Sequence, residues 1–205
     1  MGLLNLRNAL MASGLPPWYK KNSYVVFGGQ NSPCYIDLGV RWTEKSSLEL
    51  KFRNTGFNLY PWDGIFGAKV DADSKSIMVR RSYNSKTSFQ VWNYSTAAAG
   101  FRYSAKAEVL RFGKSYAEYG GEQQSMTHTL DTWTSTYNVW LGYVNRGNNA
   151  YGNFALYYLK LFNEENLIMN LLPRNNNGTI ALYDTITRRD FYNQGSGAFQ
   201  FGVDA

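Results

Sequence analysis

From residue 24 to the end, apolar and polar residues alternate in short runs broken by Gly, Asn, Asp and Pro. A period of two puts successive side chains on opposite faces of a strand, so these runs predict strands with one face in a core. The clearest is 47–53, where Leu48, Leu50 and Phe52 alternate with Glu49, Lys51 and Arg53. Further strands are expected over 24–29, 35–40, 64–69, 76–83, 88–94 and 101–111. Over 137–144 the pattern sets Val139, Leu141 and Tyr143 on one side. Residues 113–124 mix polar and aromatic positions around Gly120-Gly121 and read as a loop or bent strand, and 145–152 as a Gly/Asn-rich turn.

The last fifty residues carry the strongest pattern. An apolar run over 154–162 is broken by four polar residues and followed by another over 167–172, a hairpin signal. Pro173 is expected to end the second run, because it cannot donate to a ladder. Asn175-Asn176-Asn177-Gly178 is a turn of residues that tolerate positive φ, and strands follow over 179–183 and 198–201. Leu159, Leu161, Leu182, Phe191 and Phe199 are the expected core of this stretch. About eleven to thirteen strands in all fit two stacked sheets. One helix is expected, over 2–13, with Leu3, Leu6 and Leu10 on one face, Gly14 after it and Pro16-Pro17 to stop it. The chain thus divides into a helix and Pro-Pro connector (1–17) and an all-β domain (18–205). A helix this short must lean on a partner, either its own domain or another subunit.

Composition agrees: aromatic residues make up 17% of the 205, charged residues only 18%, and there are 19 glycines. The net charge is +6, but Lys20-Lys21, Arg80-Arg81 and Arg188-Arg189 are scattered, without the stripe that nucleic acid requires. With Cys34 the only cysteine, neither an internal disulfide nor a cysteine zinc site is possible. Arg7, Asn5 and Asn8 interrupt what would be the apolar part of a leader, and no window approaches 18 apolar residues, so neither export nor membrane insertion is expected.

Three stretches carry a family resemblance: Tyr35-Ile36-Asp37-Leu38-Gly39-Val40, then Gly64-Ile65-Phe66-Gly67-Ala68-Lys69, and the closing "GTIALYDTITRRDFYNQGSGAFQFG" of 178–202. In that order they resemble the concanavalin A-like (laminin-G-like) jelly-roll modules found in structural proteins of tailed phages and prophages. The likeness spans roughly 35–202. It implies a two-sheet antiparallel jelly-roll sandwich with the short helix appended. It also implies a non-enzymatic virion component (fibre, tail or capsid decoration), made in the host cytoplasm, oligomeric and bound to other virion proteins. A free-standing bacterial carbohydrate-binding module is the alternative.

Candidate chemistry is sparse. Glycosidases need two carboxyl groups across the scissile bond, and no Glu-x-Asp-x-Glu triplet occurs; Asp71 and Asp73 are the only carboxylates two apart and sit in an expected turn. His128 is the sole histidine, near Ser125 and Asp131 but without a nucleophile elbow, so no enzyme is expected. No cofactor is expected either; Asp63, Asp71 and Asp73 are the candidates if Ca²⁺ is held on rim loops. The resemblance implies carbohydrate contact, through rings that stack on sugar C–H faces and amides or carboxylates that bond hydroxyls. Asn58, Tyr60, Trp62 and Asp63 in the Pro/Gly loop 57–64 are the first candidates, with Trp92 and Tyr94, and then Tyr116 and Tyr119, behind them.

Overall fold

The computed structural model describes residues 15–29, 32–56, 64–68, 77–81, 88–93, 97–126, 132–144 and 150–205. The expected helix with Leu3, Leu6 and Leu10 lies outside them. Among the described residues there are eighteen strands and no α-helix. The strands form two antiparallel sheets packed as a sandwich, the all-β architecture that the period of two predicts and one compatible with a jelly roll.

Strands are numbered along the chain. The first sheet runs in the order β10 (Glu122–Ser125), β9 (Tyr116–Tyr119), β8 (Glu108–Phe112), β3 (Ser46–Asn54), β14 (Asn153–Asn163), β15 (Asn166–Asn176), β16 (Thr179–Asp184), β17 (Arg189–Phe191). Two more strands join it, β1 (Ser23–Gly28) against β14 and β18 (Gln200–Val203) against β1. The second sheet runs β2 (Ile36–Thr43), β11 (Thr134–Leu141), β4 (Gly64–Ala68), β5 (Ile77–Arg81), β6 (Ser88–Asn93), β7 (Ala97–Arg102). Two short strands, β12 (Tyr143–Val144) and β13 (Ala150–Tyr151), attach at the end of β4, where Tyr151 and Gly64 make the one parallel pairing among the described strands.

The core is the space between the sheets. β3 contributes Leu48, Leu50 and Phe52, as its alternation predicts, and β14 contributes Phe154, Leu156, Leu159 and Leu161. Facing them are Ile36 and Leu38 of β2, Phe66 of β4, Val79 of β5, Phe89 of β6 and Leu141 of β11. Leu182, Phe191 and Phe199 are buried with them, so all five residues expected in the closing core are in it. β14 pairs with β3 along its whole length, whereas its other side is shared. β1 takes 153–156 and β15 takes 159–163, and a register shift in the β14–β3 pairing falls between Leu156 and Tyr158.

Several expectations need correction. Pro173 does not end its strand: β15 continues to Asn176, with Pro173 opposite Leu182. β15 parts from β14 after Leu171, so from there it has β16 as its ladder neighbour, and the missing N–H on the other side costs no ladder bond. Residues 101–111 are not one strand; β7 ends at Arg102 in the second sheet and β8 begins at Glu108 in the first, so this stretch crosses between sheets. The ambiguous 113–124 is the hairpin β9–β10, turned by Gly120 and Gly121 at φ 58° and 88°, the positive pair a two-residue hairpin turn requires. Finally, Tyr143 does not face the core with Val139 and Leu141. Gly142, at φ 83°, breaks the alternation and sends the Tyr143 ring to the face of Trp140.

Candidate functional site

Among the described residues, the outer face of the second sheet gathers aromatic and polar side chains. Ile36 and Leu38 on β2, and Val139 and Leu141 on β11, are fully buried in the core. The alternate residues Tyr35 and Asp37, Asn138 and Trp140 therefore point outward, and all four are half-buried. β2 and β11 are neighbours, and the register sets Trp140 opposite Asp37. The Tyr35 ring stacks on Trp140 at 4.8 Å and 13°. Tyr143, itself buried, lies 5.3 Å from Trp140 and 4.6 Å from Tyr151, which joins the four rings in one cluster. Beside it the Asp37 carboxylate accepts the Gly39 N–H (2.8 Å) through one oxygen and the Asn138 amide (3.4 Å) through the other.

The closing segment holds this surface in place. Asn193 Oδ1 accepts the Tyr35 N–H at 3.0 Å, Gln194 Oε1 accepts the Asp37 N–H at 3.2 Å, and the Gln194 N–H donates to the Tyr35 carbonyl at 2.9 Å. The Asn193 amide also braces its own loop through the carbonyls of Gly195 and Gly197. Upstream, Asp184 is 0% exposed and accepts from the N–H groups of Asn170, Ile186 and Thr187 and from the Thr187 hydroxyl. It closes the β16–β17 turn and ties it to β15. The signature Leu-Tyr-Asp…Asn-x-Gly-x-Gly is thus a set of structural bonds.

Other carboxylates are also engaged internally. On the outer face of the first sheet Glu49 accepts from Arg111 (2.8 Å) and Lys160 (2.9 Å), and Arg111 reaches Glu118 at 3.2 Å. Burial penalises the Glu49 charge, but hydrogen bonds from Lys160 and Arg111 outweigh it and hold the pKa below the usual carboxylate value. Asp204 accepts from the Tyr157 hydroxyl and pairs with Arg53, and Asp190 pairs with Arg174. Burial, with the Asp204 contact second, raises the Tyr157 phenol. Among the described residues no group of three or more His, Cys, Asp or Glu is placed to hold a metal ion.

Of the residues singled out by sequence, Asn58, Tyr60, Trp62, Asp63, Asp71, Asp73, Tyr94, His128 and Asp131 lie outside the described residues. Trp92 is on β6, opposite Met78 and Ala98, and its side chain is outside the description. Tyr119 is a core residue: 5% exposed, with its ring against Phe52 and Phe89. The four outward residues of β2 and β11 were not singled out. Their signal was present as two i, i+2 pairs of polar and aromatic residues beside a buried face. The pairing of β2 with a strand about a hundred residues later is invisible in the sequence. No protein-family model matches this chain, and no curated protein is significantly similar to it in sequence.

Proposed function

We propose that the chain is a non-enzymatic structural module of a tailed-phage particle, of the concanavalin A-like (laminin-G-like) kind, that contacts host-surface carbohydrate through the outer face of its second sheet. The observation that supports this reading is the use made of the closing signature. Asp184 ties its own turn to β15 and the Asn193–Gly197 loop fastens β2, so the residues that carry the resemblance have a fold-specific purpose. The carboxylates Glu49, Asp184, Asp190 and Asp204 serve internal bonds rather than a reacting bond, which supports a binding role over a hydrolytic one. The half-buried rings of Tyr35, Trp140 and Tyr151, with a carboxylate and a carboxamide at their side, suit a sugar ring: C–H groups pack on the aromatic surface that remains exposed and hydroxyls meet Asp37 and Asn138. One such site binds weakly, and a particle with many copies converts weak contacts into firm adhesion.

Gold-labelled antibody against the chain, applied to particles purified from a lysate of its host, should decorate the particles. Label on intact cells without particles would favour the bacterial binding module instead. Retention on host surface polysaccharide should be lost in Trp140→Ala with the thermal melt nearly unchanged. If the joint Tyr60→Ala and Trp62→Ala change abolishes retention while Trp140→Ala does not, the contact lies in the 57–64 loop.

A further inference from the structure

The two sheets leave unequal edges. Among the described strands, the edges of the first sheet are β10, β17 and β18, only four, three and four residues long. In the second, β12 is only two residues long and β2 is fastened at its start by the Asn193–Gly197 loop. That leaves β7, Ala-Ala-Ala-Gly-Phe-Arg, paired with β6 over six residues without a register shift. It has no proline, lysine or bulge, the usual devices that discourage pairing at an edge.

Among the described residues, one side chain occupies this edge. Gln124 of β10 accepts the Gly100 N–H on its Oε1 (3.0 Å) and donates its Nε2 to the Gly100 carbonyl (2.6 Å). A carboxamide is a peptide group in miniature, and here it makes both bonds that a neighbouring strand would make. The Gly100 backbone groups therefore point away from β6. By the alternation of an antiparallel ladder, those of Ala98 and Arg102 point the same way.

We propose that β7 is a strand-addition edge at which a second copy of this chain pairs β7 to β7, antiparallel, about a two-fold axis through Gly100, displacing Gln124. The occupant is the chain itself because the edge is self-complementary. Centred on Gly100, the register sets Ala98 opposite Arg102 and Gly100 opposite Gly100, so small residues meet at the axis and the two Arg102 side chains are kept at opposite ends. Glu108 and Glu122 line the cleft of about 600 Å³ that Arg102 also lines. Pairing over the three outward residues replaces two bonds to Gln124 with a ladder, and joins two second sheets into one continuous sheet. The inference goes beyond the carbohydrate reading and does not depend on it.

The test is a cross-link in the full-length chain. Residues directly opposite in a hydrogen-bonded antiparallel pair have Cα atoms about 5.5 Å apart, within disulfide reach. The native Cys34 is fully buried, so an introduced thiol is the accessible one. With oxidised glutathione as the electron acceptor, Gly100→Cys should form a covalent dimer at least about tenfold faster than the exposed control Thr179→Cys. A Cβ at Gly100 meets nothing within 4 Å, so Gly100→Lys should keep the fold, and the two ammonium groups at the axis should weaken the sedimentation dimer by about tenfold or more. Gln124→Ala should strengthen the dimer by freeing the edge, the opposite of what loss of a purely structural bond does. Cross-linking of Gly100→Cys no faster than the control, a dimer that survives Gly100→Lys, or a weaker dimer in Gln124→Ala each overturns the proposal.

Discussion

Asp184 illustrates how much one buried side chain can hold. Its two oxygens take four donors from two segments, β15 and the β16–β17 turn, and replacing them with a methyl group leaves buried N–H groups without acceptors. Asp184→Ala should cost at least about 2 kcal/mol, read by urea unfolding, with Asp184→Asn recovering part of it. Glu49 gives a pH signature. Its pKa is lower in the folded chain than in the unfolded one, so its contribution is present above the unfolded value, near 4.3 in order of magnitude, and is lost as pH falls through the folded value. The melting-temperature gap between the native chain and Glu49→Gln should be widest at neutral pH and close on acidification below about pH 4. A gap independent of pH would assign Glu49 a packing role only. Gly142 has little freedom: at φ 83°, an added Cβ would lie 2.3 Å from the Phe27 ring and 2.6 Å from the Cys34 carbonyl. Gly142→Ala should therefore be among the most destabilising single changes in the chain.

At the scale of elements, sequence and structure agree where one physical signal dominates. β3 was legible because its two faces differ so sharply in polarity. The β15–β16 hairpin was legible because Asn177 and Gly178, at φ 52° and 92°, are the residue types a tight turn selects. Pro173 misled because its meaning depends on which neighbour a strand has at that residue, a tertiary fact. Tyr143 misled because one glycine can reset the face of everything after it. The short β17 carries too few residues to show a period. Leu182 sits where β15, β16 and β17 meet, opposite Pro173 and Phe191 and fully buried. Leu182→Ala should cost about 2–5 kcal/mol, seen as a lower denaturant midpoint with an unchanged slope. Of the candidate surface, the rings of β2 and β11 were visible one at a time. Their meeting was not, because it requires knowing that residue 37 lies opposite residue 140.

At the scale of the whole molecule, the chain order of the first sheet has a temporal consequence. β1 is among the earliest strands to leave the ribosome, yet its ladder partners are β14 and β18, near the far end of the chain. Until Val203 has emerged, residues 23–26 have an open side, and until Asn153 has emerged they have no ladder at all. The nascent chain therefore carries an apolar strand, with Val25 and Phe27 exposed, until those partners have emerged. Ribosome-stalled intermediates should remain protease-sensitive until residue 203 has left the ribosome and become resistant once it has. Bound trigger-type chaperones should leave at that same point.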